Sequence, residues 1–283
     1  MRSSNAMPES MAAAITAVDS HAHVFVRGLP HAPKPRHAPD YDATLDDYIA
    51  LLDGHGLSHA VLVQPSFLGT DNSFLIEALR AHPSRLRGVA VVEPSIEDDA
   101  LRALDEAGIR GIRLNLVGLP IPKLESRPWR DLLARVRTLD WHVELHLESQ
   151  HLHRATEPVL AAGCKLVVDH FGRPAESDEV PAAWLRVAAA ERRTWVKLSG
   201  AYRNWRDPRG REARAMATRM LDALGAGRLL WGSDWPHTQH RDRVDFGAAL
   251  AALADWVPDA DVRRRILADN PAQLFKFSVG DPS

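Results

Sequence analysis

The sequence predicts a (β/α)8 barrel, and three observations predict it. Eight short, nearly continuous apolar runs recur along the 283 residues, and each is separated from the next by a longer stretch of helical period. Runs of that kind are strands buried on both faces, as in an all-parallel sheet covered by helices, and eight of them suffice to close a barrel. The competing open, doubly wound sheet is marked by a Gly-x-Gly-x-x-Gly turn after its first strand, and the chain has none.

The elements follow in order. Residues 1–14 mix Ser, Asn, Pro and Met and read as a flexible lead-in; 15–283 read as one barrel domain, with no linker or low-complexity block. Residues 15–18 form the first strand. Residues 27–41, with four prolines and two histidines, read as a long loop over its end, and Leu45, Tyr48, Ile49 and Leu52 then recur at helical spacing. Residues 60–64 are the second strand, closed by Pro65, after which Asp71 and Asn72 cap a helix with Phe74, Leu75, Ala78 and Leu79 on its apolar face. The third strand, 88–92, leads to a helix with Ile96, Ala100, Leu101 and Leu104 inward, and the fourth, 112–116, to a Pro-rich loop and a helix over 129–139. Residues 143–147, 166–169, 195–198 and 229–232 complete the eight. A helix over 246–256 and a C-terminal helical tail over 261–277 close the chain.

Composition narrows the function. A net charge of −2 and a pI near 6.7 give no nucleic-acid footprint and no polybasic membrane patch. No apolar run approaches the roughly 20 residues of a membrane span, and the start carries no signal-peptide core. The single cysteine, Cys164, reads as a small buried residue, and a chain of this length without bridges fits a cytoplasmic location.

A barrel gathers its chemistry at the carboxyl ends of its strands. The first end supplies His21 and His23, which point to one side because residues two apart in a strand share a face. Ser66, Arg113, Asn115, His146, His170, Ser199, Arg203, Asp234 and His237 follow at later ends, and His37 lies in the loop over the first. Each histidine alone is more simply a solvated or satisfied side chain, but four of them with an aspartate at four ends define a site. The chemistry is hydrolytic: Asp234 takes a proton from water while His170 or the paired histidines polarise a carbonyl. No Gly-x-Ser-x-Gly elbow offers an acyl-serine route. A bound divalent metal would find His21, His23, His146 and Asp234 as its ligands. Arg113, on an apolar strand beside Asn115, pairs either with a core carboxylate or, completed by Arg203, with a substrate carboxylate.

Five motifs carry a resemblance: 15–23 ending Asp19-Ser20-His21-Ala22-His23; Val63-Gln64-Pro65-Ser66 with Gly69-Thr70-Asp71-Asn72; Arg110-Gly111-Ile112-Arg113-Leu114-Asn115; Val168-Asp169-His170-Phe171-Gly172-Arg173-Pro174; and Trp231-Gly232-Ser233-Asp234-Trp235-Pro236-His237. In this order, over about 15–275, they resemble the amidohydrolase superfamily and within it the 2-pyrone-4,6-dicarboxylate lactonase group. The resemblance implies a distorted (β/α)8 barrel that opens a lactone ester with water. By it, Asp234 is the general base, His21, His23 and His170 polarise the carbonyl, Arg113 and Arg203 hold carboxylates, and Ser66 hydrogen-bonds the substrate.

Two departures qualify the transfer. His146 stands where that lactonase group has a tyrosine, restoring a ligand of metal-dependent relatives, so the cofactor is either none or one zinc-like divalent ion. In the loop after Leu116 a carboxylate-binding arginine has no match, and Lys123 is the nearby substitute. The expected partner is therefore a small lactone, with a sugar lactone or the zinc-dependent decarboxylation of an aminocarboxymuconate semialdehyde as alternatives. A catalytically silent scaffold would lack the general base, which is present. Trp231 and Trp235, flanking Asp234, read as packing at the barrel mouth rather than as an aromatic box.

Overall fold

A computed structural model describes residues 14–33, 35, 37–174 and 183–277; most of the expected lead-in and residues 278–283 lie outside them. Eight parallel strands pair in sequence order: β1 (Val18–Ala22), β2 (His59–Val63), β3 (Leu86–Ala90), β4 (Ile109–Asn115), β5 (His142–His146), β6 (Lys165–Val168), β7 (Thr194–Leu198) and β8 (Leu229–Trp231). The distorted barrel closes just beyond β8, where the Asp234 N–H donates to the His21 carbonyl and the His23 N–H to that of Trp235, each at 2.8 Å. Helices α1 (Leu45–Gly54), α2 (Ser73–Ala81), α3 (Asp98–Glu106), α4 (Arg127–Thr138), α5 (Ser149–Ala161), α6 (Ala183–Glu191), α7 (Arg211–Leu224) and α8 (Phe246–Trp256) connect and cover the strands. The tail forms two short helices, α9 (Ala260–Arg264) and α10 (Asn270–Leu274), separated by a π-helical turn. None of the described helices is long and apolar enough to cross a membrane.

Two local expectations shift. The first strand begins at Val18 rather than Ile15, so Asp19 and His21 lie within β1 and not beyond it. At α2, Asn72 occupies the cap position, but its side chain makes no capping bond. Its amide instead donates to the Thr70 and Val91 carbonyls while its oxygen accepts the Val91 N–H, tying the β2 and β3 loops together.

The floor of the barrel is apolar. Val18, Val61, Val63, Val89, Val167 and Leu230 pack with Leu274, Phe275 and Phe277, so the tail plugs the end opposite the strand termini. A second, larger apolar cluster lies between the strands and the helices; it includes Leu52, Leu79, Leu132, Trp141, Leu152 and Trp231. Burying side chains of this size stabilises by about 1.5–3 kcal/mol each against exposure. Cys164 is buried as expected, its thiol donating to the Leu133 carbonyl, and burial pushes its pKa up to about 11.

Candidate active site

Asp19 anchors the construction. Buried on β1, it accepts at Oδ1 from the N–H groups of His21 and Ser233 and at Oδ2 from the hydroxyls of Tyr48 and Ser233. One carboxylate thus joins β1, α1 and the segment after β8. Burial raises its pKa to about 6 against these four bonds. Ser233 Oγ also accepts the Trp235 N–H, which shapes the tight backbone of 231–237, where Asp234 and His237 have positive φ. Gly232 is required there: a Cβ would meet that of His21 at 2.5 Å.

Asp234 is buried, and its two oxygens are used differently. Oδ2 accepts from Tyr202 Oη and Arg203 Nε, both at 2.6 Å. Oδ1 has no hydrogen-bond partner and faces His21 Nε2 at 3.9 Å and His23 Nε2 at 3.8 Å. Burial pushes its pKa up, but Arg203 together with the surrounding imidazoles of His170, His21 and His23 outweighs this and holds the carboxyl ionised well below the usual range. Gly200 leaves the room: a Cβ there would stand 2.8 Å from His170 Nδ1 and 3.0 Å from Asp234 Oδ2.

The histidines are neutral but not equivalent. Burial lowers His23 to about 4 and His170 to about 3, and drives His21 and His146 well below 6.5. His23 Nδ1 lies 2.7 Å from the Val63 carbonyl, which can only accept, so the neutral ring carries its proton there and presents a bare Nε2. In this geometry His23 offers an acceptor at Nε2, where the resemblance implies a group that polarises a carbonyl. His170 Nδ1 pairs with Ser199 Oγ at 2.9 Å, and its ring meets those of His21 and His146 edge-on, with centroids 4.8 Å apart in both cases.

The mouth is a cavity of about 260 Å³ lined by His23, His37, Ser66, Asn115, His146, His170 and Asp234 together with three arginines, Arg113, Arg173 and Arg203. Arg113 satisfies the core-carboxylate alternative, donating through Nε and Nη2 to Asp169 Oδ2 at 3.1 and 2.9 Å, while its guanidinium also borders the cavity. Arg203 is held charged: burial opposes this and Asp234 overrides it. Arg173, present in a quoted motif but given no role, is oriented by the Arg203 carbonyl and Asn204 Oδ1. Not every expected residue lines it: His21 and Ser199 are buried, against Asp234 and His170 respectively. His237 is buried against the Tyr202 ring and does not line the cavity, and Lys123 is exposed in a separate groove with His153 and Glu157. The tryptophans pack as expected rather than lining the cavity: Trp231 lies against Phe246 of α8 and Trp235 stacks on Tyr48.

The metal expectation changes in composition. His21, His170 and Asp234 offer ligand atoms within 4.8 Å of one another, whereas His146 groups with Asp169 and His170. His146 Nδ1 is occupied by Arg113 Nη2 at 3.3 Å. The orphaned, buried His21 Nε2 and Asp234 Oδ1 make the first set fit one divalent ion. His170 thus replaces His23 and His146 in that set.

A (β/α)8 barrel with a buried carboxylate and clustered imidazoles at the strand ends defines a hydrolase that activates water. The chain belongs to the amidohydrolase family, whose profile, "Amidohydrolase", matches residues 18–277. It is 32% identical to the 2-pyrone-4,6-dicarboxylate hydrolase of Comamonas testosteroni over 276 residues, 92% of this chain and 90% of that one. It is 32% identical to the 4-sulfomuconolactone hydrolase of Rhizobium radiobacter over 281 residues, covering 95% and 92%. The crystal structure of a candidate 2-pyrone-4,6-dicarboxylic acid hydrolase from Pseudomonas putida superposes with a TM-score of 0.85 at 42% identity, covering 93% of this chain and 98% of that one.

Proposed function

We propose that the protein opens the ring ester of a small lactone carrying carboxylate or sulfonate groups, with Asp234 as general base. The observation that carries this reading is the division of labour on Asp234: Tyr202 and Arg203 saturate Oδ2, while the buried Oδ1 is free to take a proton. Relatives that act on 2-pyrone-4,6-dicarboxylate and 4-sulfomuconolactone support the substrate class, as do the three arginines around the cavity.

Water attacks the carbonyl carbon as its proton passes to Asp234 Oδ1, with the bare Nε2 of His23 orienting the nucleophile. His21 and His170 hold the developing oxyanion. As the tetrahedral centre collapses, the ring C–O bond breaks, and the leaving oxygen takes the proton back from Asp234. Arg113, Arg173 and Arg203 hold the anionic substituents, and Ser66, Asn115, His37 and His146 complete the contacts. When bound at His21, His170 and Asp234, a divalent ion would supply Lewis-acid polarisation of the carbonyl. The continuous sheet supports one working domain over 15–283, and the single buried thiol supports a cytoplasmic location.

The test is a lactone panel (dicarboxylated, sulfonated and uncharged) assayed with and without chelator beside Asp234→Asn. The anionic lactones open, and the variant loses about 10²–10⁴-fold in kcat. Full activity in Asp234→Asn, or no lactone opened by the wild type, ends the proposal; chelator-abolished release of carbon dioxide from a carboxylated substrate would establish decarboxylation instead.

A further inference from the structure

Below Asp234 the barrel holds charges that the reaction above does not use. Lys197 on β7 is fully buried, and three acceptors from three other strands or strand ends surround its Nζ: Glu144 Oε2 at 2.5 Å, His21 Nδ1 at 3.0 Å and Asp169 Oδ1 at 3.5 Å. Its hydrogen bonds go to Glu144 and His21, with Asp169 Oδ1 an ion-pair neighbour, and an ammonium has no lone pair to offer in return. His21 Nδ1 is also 3.2 Å from Asp169 Oδ1, but that oxygen has no hydrogen-bond partner, so the contact is not aligned as a donation from the ring. The bond that is made runs from Lys197 to Nδ1. A neutral imidazole that accepts at Nδ1 carries its proton on Nε2, and in His21 it is Nε2 that faces Asp234 Oδ1.

We propose that Lys197 is a positioning residue that fixes His21 in its Nε2–H tautomer, making it a hydrogen-bond donor to the lactone carbonyl oxygen and a weaker ligand for a divalent metal than a bare Nε2 would be. The donor role rests on the function proposed above; the tautomer and the metal affinity do not. A metal at Nε2 needs the lone pair there, and the proton can reach Nδ1 only by facing an N–H of Lys197 across 3.0 Å. The arrangement recurs between β4 and β5, where Arg113 Nη2, also a donor only, points at His146 Nδ1 and leaves Nε2 of that ring protonated. His23, whose Nδ1 donates to a carbonyl, is the internal contrast. Two cations thus prepare two imidazoles as donors, and one carbonyl prepares a third as an acceptor.

The test uses the full-length protein, stripped of metal and labelled with 15N at histidine, in a long-range 1H–15N correlation spectrum. The His21 signals are assigned by their loss in His21→Gln. The expected pattern is a protonated Nε2 and a bare Nδ1; a protonated Nδ1 in the wild type overturns the proposal without recourse to any variant. Zinc titration by calorimetry then compares the wild type with Lys197→Met and Lys197→Arg. Substituting a group that orients a ligand changes metal affinity by about 10- to 100-fold, and here Lys197→Met binds zinc more tightly by that factor while Lys197→Arg stays near the wild type. Equal affinity in a folded Lys197→Met overturns the proposal. Neither measurement involves a lactone, so failure of the lactonase reading in the substrate panel leaves these outcomes standing, and their failure leaves the panel result intact.

Discussion

Strands β2 and β3 contribute Val61, Val63 and Val89 to the apolar floor, where they pack with Phe275, whereas β4, β5 and β7 bring Arg113, Glu144 and Lys197 together beneath the mouth with His21 and Asp169. One group needs only volume. The other needs each charge answered, because a buried ion pair gains little over a well-packed apolar substitute, yet removal of one partner leaves an uncompensated charge. A charged interior is therefore a poor device for stability alone. Its bonds converge on imidazoles: Lys197 on His21 and Arg113 on His146. The apolar half holds the barrel shut, while the charged half sets what the site presents.

The largest effect on the charged half is expected from Glu144→Ala. It removes the closer carboxylate from Lys197, leaving Asp169 Oδ1 at 3.5 Å, and is expected to cost about 3 kcal/mol in urea unfolding. The double substitution Glu144→Met with Lys197→Met is expected to be much less destabilised than Glu144→Ala, since no charge is left alone. If the double variant falls as far as the single one, pairing is not what holds this half together.

At the mouth, Arg173→Met removes one of three cations facing the substrate. A charged hydrogen bond lost there raises KM for an anionic lactone by about 10- to 100-fold with kcat little changed, and leaves an uncharged lactone unaffected. Equal losses on charged and uncharged lactones would show that Arg173 supports the fold through Arg203 and Asn204 instead. In the apolar half, Val61→Ala is expected to cost about 1.5 kcal/mol of stability and nothing in kcat, since it touches no group that reaches the cavity. A fall in turnover would mean that the floor and the mouth are coupled.

The barrel was legible because its strands are apolar on both faces and its helices keep their period; the order of all eight strands follows from that pattern. The mouth was legible at strand ends: His21, His23, His146, His170 and Asp234 do converge. Of the charged interior only Arg113 was legible, as a partner for a core carboxylate, although Glu144 and Lys197 carry the same signal. Glu144 precedes His146 by two residues, Arg113 precedes Asn115 and Lys197 precedes Ser199, and residues two apart on a strand share a face. A charge two positions before a site residue inside an apolar strand therefore points into the same barrel. Arg173 was hidden for another reason. It follows a 3-10 turn in which His170, Phe171 and Arg173 all have positive φ, so strand alternation does not predict where its side chain goes. Lys123 was selected by closeness in sequence to a missing arginine, and the chain carries it to a different groove.

The smallest expected effect is the most informative about the charged half: between about pH 8 and pH 5, kcat/KM does not change. Burial holds His23 to about 4 and His170 to about 3, with His21 and His146 well below 6.5 and Asp234 ionised throughout, so none of these five groups changes charge in that range. Stability behaves differently over the same interval. Each imidazole titrates near 6.5 in the unfolded chain and lower in the folded one, so below about 6.5 the unfolded state binds more protons and stability falls with pH, continuing through about 4 for His23 and His237. Asp19 works in the opposite sense: its pKa is raised from 3.8 to about 6, so its contribution is full below 3.8 and is lost as pH rises through about 6. One carboxyl is outweighed by five site-region imidazoles. Tm therefore falls from pH 7 to about pH 4.5, while initial rates measured before unfolding stay level. An acid limb in kcat/KM near 6.5 would instead place a titrating imidazole in the reaction and remove the fixed donors and acceptor on which the proposed chemistry rests.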